Sequence, residues 1–237
     1  MDLLVISSCT KEKAVRNCPT PLTEADFIDQ YRLHRREAEL AQWMRPAARM
    51  YTGDQHRYLM NGIGLLRSSF GQSACSLRIV SAGYGLIEEE CPIVPYETTF
   101  KKKGRQWIRE RTEQLGIPHA VRVAIRKHRC VIFLLGNEYL LSIRLPLEPV
   151  SGQRLLFFTS NTQLPFDPAS IIIPAGKHET RYGAGYSALK GKMFEHLAAG
   201  LSGNPKMWER LCRDDTPGTG TSLIEAGQRN AWAASTT

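Results

Sequence analysis

The residues best suited to chemistry on a flat, polar ligand lie in two neighbouring segments. An apolar run, Leu77 to Val80, leads into Ser81-Ala82-Gly83-Tyr84-Gly85-Leu86-Ile87, and Pro92-Ile93-Val94-Pro95-Tyr96-Glu97 follows shortly after. The bracketing glycines free the backbone to reach φ > 0 and to approach a ligand closely, while tyrosine offers a flat face and a hydroxyl. A strand end, bare backbone, two aromatic rings and a carboxylate describe a pocket for a nucleobase. The same spacing also describes an ordinary glycine turn with tyrosines in the core.

Ser7-Ser8-Cys9-Thr10-Lys11 and Lys13 form a second group, offering hydroxyls, amides and ammonium groups to a phosphate or a polar base edge. The glycine-rich phosphate loop ending in Gly-Lys-Ser/Thr is absent. Cys9 has no recognisable partner for nucleophilic work and reads as a packed thiol.

Cleaving an N-glycosidic bond requires a carboxylate to activate water or to stabilise an oxocarbenium-like sugar, and polar groups to accept charge on the departing base. Glu97 is the preferred acid because it adjoins Tyr96. Asp54 is second, with a helix N-cap as its alternative role, and Glu88 to Glu90 read as an exposed acidic turn. An enzyme acting on a base within DNA must flip that base out and stack it, a task for Tyr84 and Tyr96. For the DNA backbone, Lys13, Lys177, His178, Arg181 and Lys190 are the preferred contacts. The denser basic run from Lys101 to Arg129 is a further phosphate-contacting face or a solvated one.

Short, continuously apolar strands must position these groups: Leu3–Ile6, Leu77–Ser81, Val131–Leu135, Leu155–Phe158 and Ile171–Ile173. Helices are predicted over Glu37–Met50 with a break near Pro46, from Asp54 through Leu66, from Arg105 to about Lys127 with a break near Gly116, over Tyr139–Ile143, and over Ser187–Leu201. Residues 12 to 35 read as a loop holding a short helix. Continuous apolar strands alternating with helices predict an α/β fold, a single three-layer domain over 1–213 around a central, mostly parallel sheet. Ligands of such sheets bind beyond the carboxyl ends of the strands, which adds Gly85, Asn137, Glu138, Ser160 and Asn161 to the candidates. Residues 214–237 turn to Thr, Gly, Ser and Ala and predict a weakly structured tail, with Trp232 as its one docking side chain.

Composition narrows the partner. The chain has 237 residues with 31 Lys and Arg against 23 Asp and Glu, a net charge of +8, which favours an anion such as nucleic acid. Its six cysteines show neither Cys-x-x-Cys pairing nor zinc spacing and read as reduced thiols of a cytoplasmic protein. No signal peptide or membrane-length apolar run is apparent.

Taken as a set, Ser8-Cys9-Thr10-Lys11, Pro46-Ala47-Ala48-Arg49-Met50-Tyr51-Thr52-Gly53, Ser81-Ala82-Gly83-Tyr84-Gly85-Leu86-Ile87, Pro95-Tyr96-Glu97, Leu134-Leu135-Gly136-Asn137-Glu138-Tyr139 and Gly183-Ala184-Gly185-Tyr186 resemble motifs of the YaaA peroxide-stress family and related uncharacterised bacterial domains. The resemblance runs in patches from about residue 3 to 200. It implies an α/β fold akin to uracil-DNA glycosylases, shared with a domain of archaeosine synthase, together with DNA binding and the handling of bases. The water-activating Gly-x-Asp-Pro-Gly segment and the His-Pro-Ser motif of those glycosylases are missing. The resulting expectation is a monomeric DNA glycosylase that flips and excises a modified base without metal or cofactor, an activity suited to defence against phages with altered DNA. In it Tyr84 and Tyr96 wall the base, Ser8, Lys11 and Asn137 contact its polar edge or the nearby phosphate, and Cys9 and Gly85 complete the base-binding group. The alternatives are a non-enzymatic DNA-binding stress protein and an N-glycosidase of free nucleotides.

Overall fold

In the computed structural model, residues 2–204, 206–213 and 218–235 are described. The chain opens with β1 (Leu3–Ser8) and makes a long excursion through a 3-10 turn at Glu24–Phe27, α1 (Gln30–Glu39), β2 (Arg45–Pro46), α2 (Ala47–Met50) and α3 (Asp54–Phe70). Then come β3 (Cys75–Ser81), β4 (Gly85–Glu88), β5 (Pro92–Ile93), α4 (Arg105–Gln114), α5 (Ile117–Ile125), β6 (Cys130–Leu134) and α6 (Asn137–Ser142). The last elements are β7 (Arg154–Thr159), β8 (Ile171–Pro174), α7 (Leu189–Gly203), α8 (Lys206–Arg213) and α9 (Gly218–Ser235).

Six strands form one sheet in the order β4-β3-β1-β6-β7-β8, parallel except for the β3–β4 pair. β1 lies inside the sheet and every one of its residues is buried, as a run of Leu, Val and Ile covered on both faces requires. The chain steps from β1 to β3 on one side, then returns past β1 to β6 on the other. Right-handed crossovers therefore place the helices of the two halves on opposite faces. α7 packs on both α3 and α9, and α4 packs on α5 and α6. The result is the expected three-layer α/β domain.

Several local expectations need correction. The first long helix covers Gln30–Glu39 rather than Glu37–Met50. Arg45 and Pro46 instead pair with Pro92 and Ile93 in a small antiparallel ladder, which Pro46 tolerates at an edge. Glu89 is not an exposed acid: it accepts two hydrogen bonds from the Arg67 guanidinium, both side chains being largely covered. The break near Gly116 is present, with that glycine in the left-handed region at φ 60°.

Residues 218–235 of the supposed tail form a helix seated on α7. Its small residues serve close approach: a Cβ at Gly227 would stand 1.8 Å from the His196 carbonyl oxygen, and one at Gly200 would stand 2.4 Å from that of Leu223. Leu223 and Ile224 are buried in this contact. A composition poor in large apolar side chains thus marks tight helix packing here, not loose chain. Residues 214–217, 236 and 237 and the side chain of Trp232 lie outside the described residues.

Candidate functional site

The strand order reverses between β1 and β6, and in open α/β sheets that reversal opens a crevice beyond the carboxyl ends of the two strands. A cavity of about 430 Å³ lies there, within the usual range for small-molecule sites. Ser8 to Glu12 line it from the end of β1, Gly53 to Gln55 from the start of α3, and Gly136 to Tyr139 from the β6–α6 junction. Lys101 and, at the start of α7, Tyr186, Ser187 and Lys190 complete the lining.

Local contacts fix these groups. The Cys9 amide donates to the Val80 carbonyl (3.0 Å), carrying the β1–β3 ladder one residue past the strand. Its Sγ lies 3.1 Å from the Tyr139 hydroxyl, which is also 3.5 Å from Thr99 Oγ1. Burial, reinforced by Cys9, pushes the Tyr139 phenol far up, so it stays protonated. The Gly53 amide donates to Thr10 Oγ1 (3.4 Å), and a Cβ at Gly53 would meet the Thr10 side chain at 3.0 Å. Gln55 Nε2 donates to the Leu134 carbonyl (3.2 Å), tying the start of α3 to the end of β6. Gly191 lets α7 rest on that same turn, since a Cβ there would stand 2.2 Å from the Gln55 carbonyl oxygen.

The charges are mixed. Lys11 and Lys101 are exposed, whereas Lys190 is only 8% exposed. Burial lowers the pKa of Lys190, Lys101 lowers it further, and Glu138 opposes both. Among the carboxylates, Asp54 stands at the first position of α3 and pairs with Arg57, both side chains being open to water. Glu12 and Glu138 are the others. Tyr186, 51% exposed and hydrogen-bonded to Ser160 Oγ (2.7 Å), offers a ring at the mouth.

Ser8, Cys9, Lys11, Asp54, Asn137 and Lys190 thus line one cavity, but the β3 end does not join them. Tyr96 is 1% exposed, and its hydroxyl sits between those of Tyr51 (2.8 Å) and Ser81 (2.7 Å). Tyr84 meets Tyr96 edge to face with centroids 5.4 Å apart, leaving no slot for a base between them. The glycine turn is filled from within the protein. A Cβ at Gly83 would lie 2.6 Å from the Phe27 ring, and Arg111 donates to the carbonyls of Ala82 (3.1 Å) and Gly83 (3.2 Å). Gly85, at φ 79°, faces Leu115 at the end of α4. The core-tyrosine reading is therefore correct for this segment.

Glu97 is exposed but does not line the cavity; its amide donates to the Leu22 carbonyl (2.8 Å) beside the Leu22–Tyr96 bridge. Lys13 spreads over the Tyr96 ring, 4.4 Å from its centroid, and bonds to the Lys11 carbonyl (3.3 Å), so it braces the loop after β1. Lys177 and His178 are exposed on the turn after β8. Arg181 pairs with Glu225 of α9 (3.6 Å). None of these four lines the cavity.

Gln55, Ser187 and Glu12 were not singled out from the sequence. Gln55 carries one available signal, its place in the first turn of a helix that starts beside the β1 loop. A second cavity of about 390 Å³ lies between α4 and the segment around Leu145, with Arg105, Arg109 and Arg144 among its lining residues. Among the described residues no cluster of three or more metal-ligating side chains exists, and no helix is long and apolar enough to cross a membrane. No protein-family model, curated protein or solved structure matches the chain.

Proposed function

We propose that this domain binds a nucleotide unit of DNA in the crevice between β1 and β6 and hydrolyses the N-glycosidic bond to a base, a modified one. The observation that carries the reading is the meeting of a carboxylate, Asp54, with three lysines around a nucleotide-sized cavity at the sheet's reversal point. Asp54 takes a proton from water as the oxygen bonds to C1′ of the sugar. The C1′–N bond breaks and the base leaves with its electron pair; it takes a proton from water, and Asp54 returns the one it accepted to solvent. Glu138 faces the positive charge that develops on the sugar. Tyr186 offers its ring for stacking, and Ser8 and Asn137 offer polar groups to the base edge. Arg105 and Arg109, which form no ion pair among the described residues, offer charge to the backbone nearby.

Incubation with DNAs carrying canonical and modified bases, followed by an assay for abasic sites, tests this. Abasic sites that disappear in Asp54→Asn support it. Tight, salt-sensitive binding without abasic sites on any DNA selects a binding module instead. Base release from mononucleotides alone selects a nucleotide N-glycosidase.

A further inference from the structure

Lys190 is the second residue of α7 and is nine-tenths covered, yet among the described residues its Nζ takes part in no hydrogen bond or ion pair. Its nearest aromatic contact is the Tyr186 ring, 5.8 Å from Nζ to centroid. A buried cation without an anion is costly, and proteins normally pair it. Two charged neighbours act on it across the cavity that all three line: Lys101, of the same sign, has the larger effect, and Glu138 offsets part of it. Ser8, 9% exposed as a residue and lining the same cavity, likewise makes no side-chain hydrogen bond among the described residues. The first turn of α7, fifteen residues long, adds backbone N–H groups and the positive end of its dipole.

We infer that Lys190, Lys101, Ser8 and the first turn of α7 form a subsite for a phosphomonoester. The nucleotide that enters carries a terminal phosphate, as a nucleoside monophosphate or the phosphorylated end of a DNA strand does. Two arguments favour this over an internal diester. Two facing lysines match the near-double charge of a monoester at neutral pH, which a diester lacks. A diester continues at both ends, whereas Lys190 is nine-tenths covered and lines a cavity. The inference rests on the nucleotide reading above but not on hydrolysis.

Calorimetry tests it with nucleoside 5′- and 3′-monophosphates, the parent nucleosides, inorganic phosphate, and oligonucleotides with and without a terminal phosphate. The monophosphate is expected to bind at least about tenfold tighter than the nucleoside, equivalent to about 1.4 kcal/mol. Inorganic phosphate competes with it. Lys190→Met removes the preference and Lys190→Arg keeps part of it. Should Lys190→Met fail to fold, Lys101→Met at the exposed partner gives the same reading through a reduced preference. Equal binding of nucleoside and monophosphate, binding of neither, or an undiminished preference in Lys190→Met overturns the subsite. If monophosphates bind as described and no substrate loses its base, hydrolysis is wrong and the subsite stands. Base release from internal positions at the rate seen at phosphorylated ends has the opposite meaning.

Discussion

The hydroxyl of Tyr96 lies 2.8 Å from that of Tyr51, and the two phenols share the interior with Ser81. Burial raises both phenols well above the ordinary range, so each stays neutral and serves as a hydrogen-bonding core residue. Tyr96→Phe removes the central hydroxyl and leaves its partners short of one bond. A loss of about 1–3 kcal/mol is expected in urea unfolding, with nucleotide affinity unchanged.

Phe27 occupies the space that Gly83 leaves just after β3. Gly83→Ala drives a methyl group into its ring and is expected to cost about 1–3 kcal/mol. Phe27→Ala removes the obstacle, so the double variant should be more stable than the sum of the two single changes predicts. Strict additivity in a thermodynamic cycle would mean that the ring does not fill this turn.

The two acids proposed from sequence separate sharply. Asp54→Asn should lower base release by about 10²–10⁴-fold while changing stability little, because its exposed pair with Arg57 contributes at most about 1 kcal/mol. Glu97→Gln should leave release unaltered. Single-turnover assays on one substrate compare them directly, and the reverse order would move the catalytic acid to the β3 side.

Much of this was readable in advance. The five parallel strands announce themselves because buried strands are continuously apolar, and the residues that follow β1 and β6 mark the crevice. The β3 rim misled because a glycine turn looks the same whether a ligand or Phe27 fills it. That distinction depends on a segment more than fifty residues earlier in the chain. Lys190 carried no hint of its burial, since α7 reveals its covered face only when α3 and α9 close around it.

Acid should weaken the fold before any carboxylate titrates. His56, 2% exposed, donates Nε2–H to the Ala48 carbonyl (2.8 Å) and keeps Nδ1 buried without a partner. Burial lowers its pKa, and that of His196, below the ordinary value. The unfolded chain therefore binds protons first as pH falls through about 6.5, and stability drops from there until the native imidazoles protonate too. Denaturation curves at about pH 7.5 and 5 should show the fall, with a shallower slope in His56→Gln.

α7 acts as a rod of about 22 Å, fifteen residues at about 1.5 Å each. Lys190 sits at one end, while Gly200 nestles against α9 toward the other. A bulky side chain at Gly227 would collide with the His196 carbonyl and push the C-terminal helix off this rod. One helix thus links the seat of the C-terminal segment at Gly200 to a cation at the mouth of the sheet.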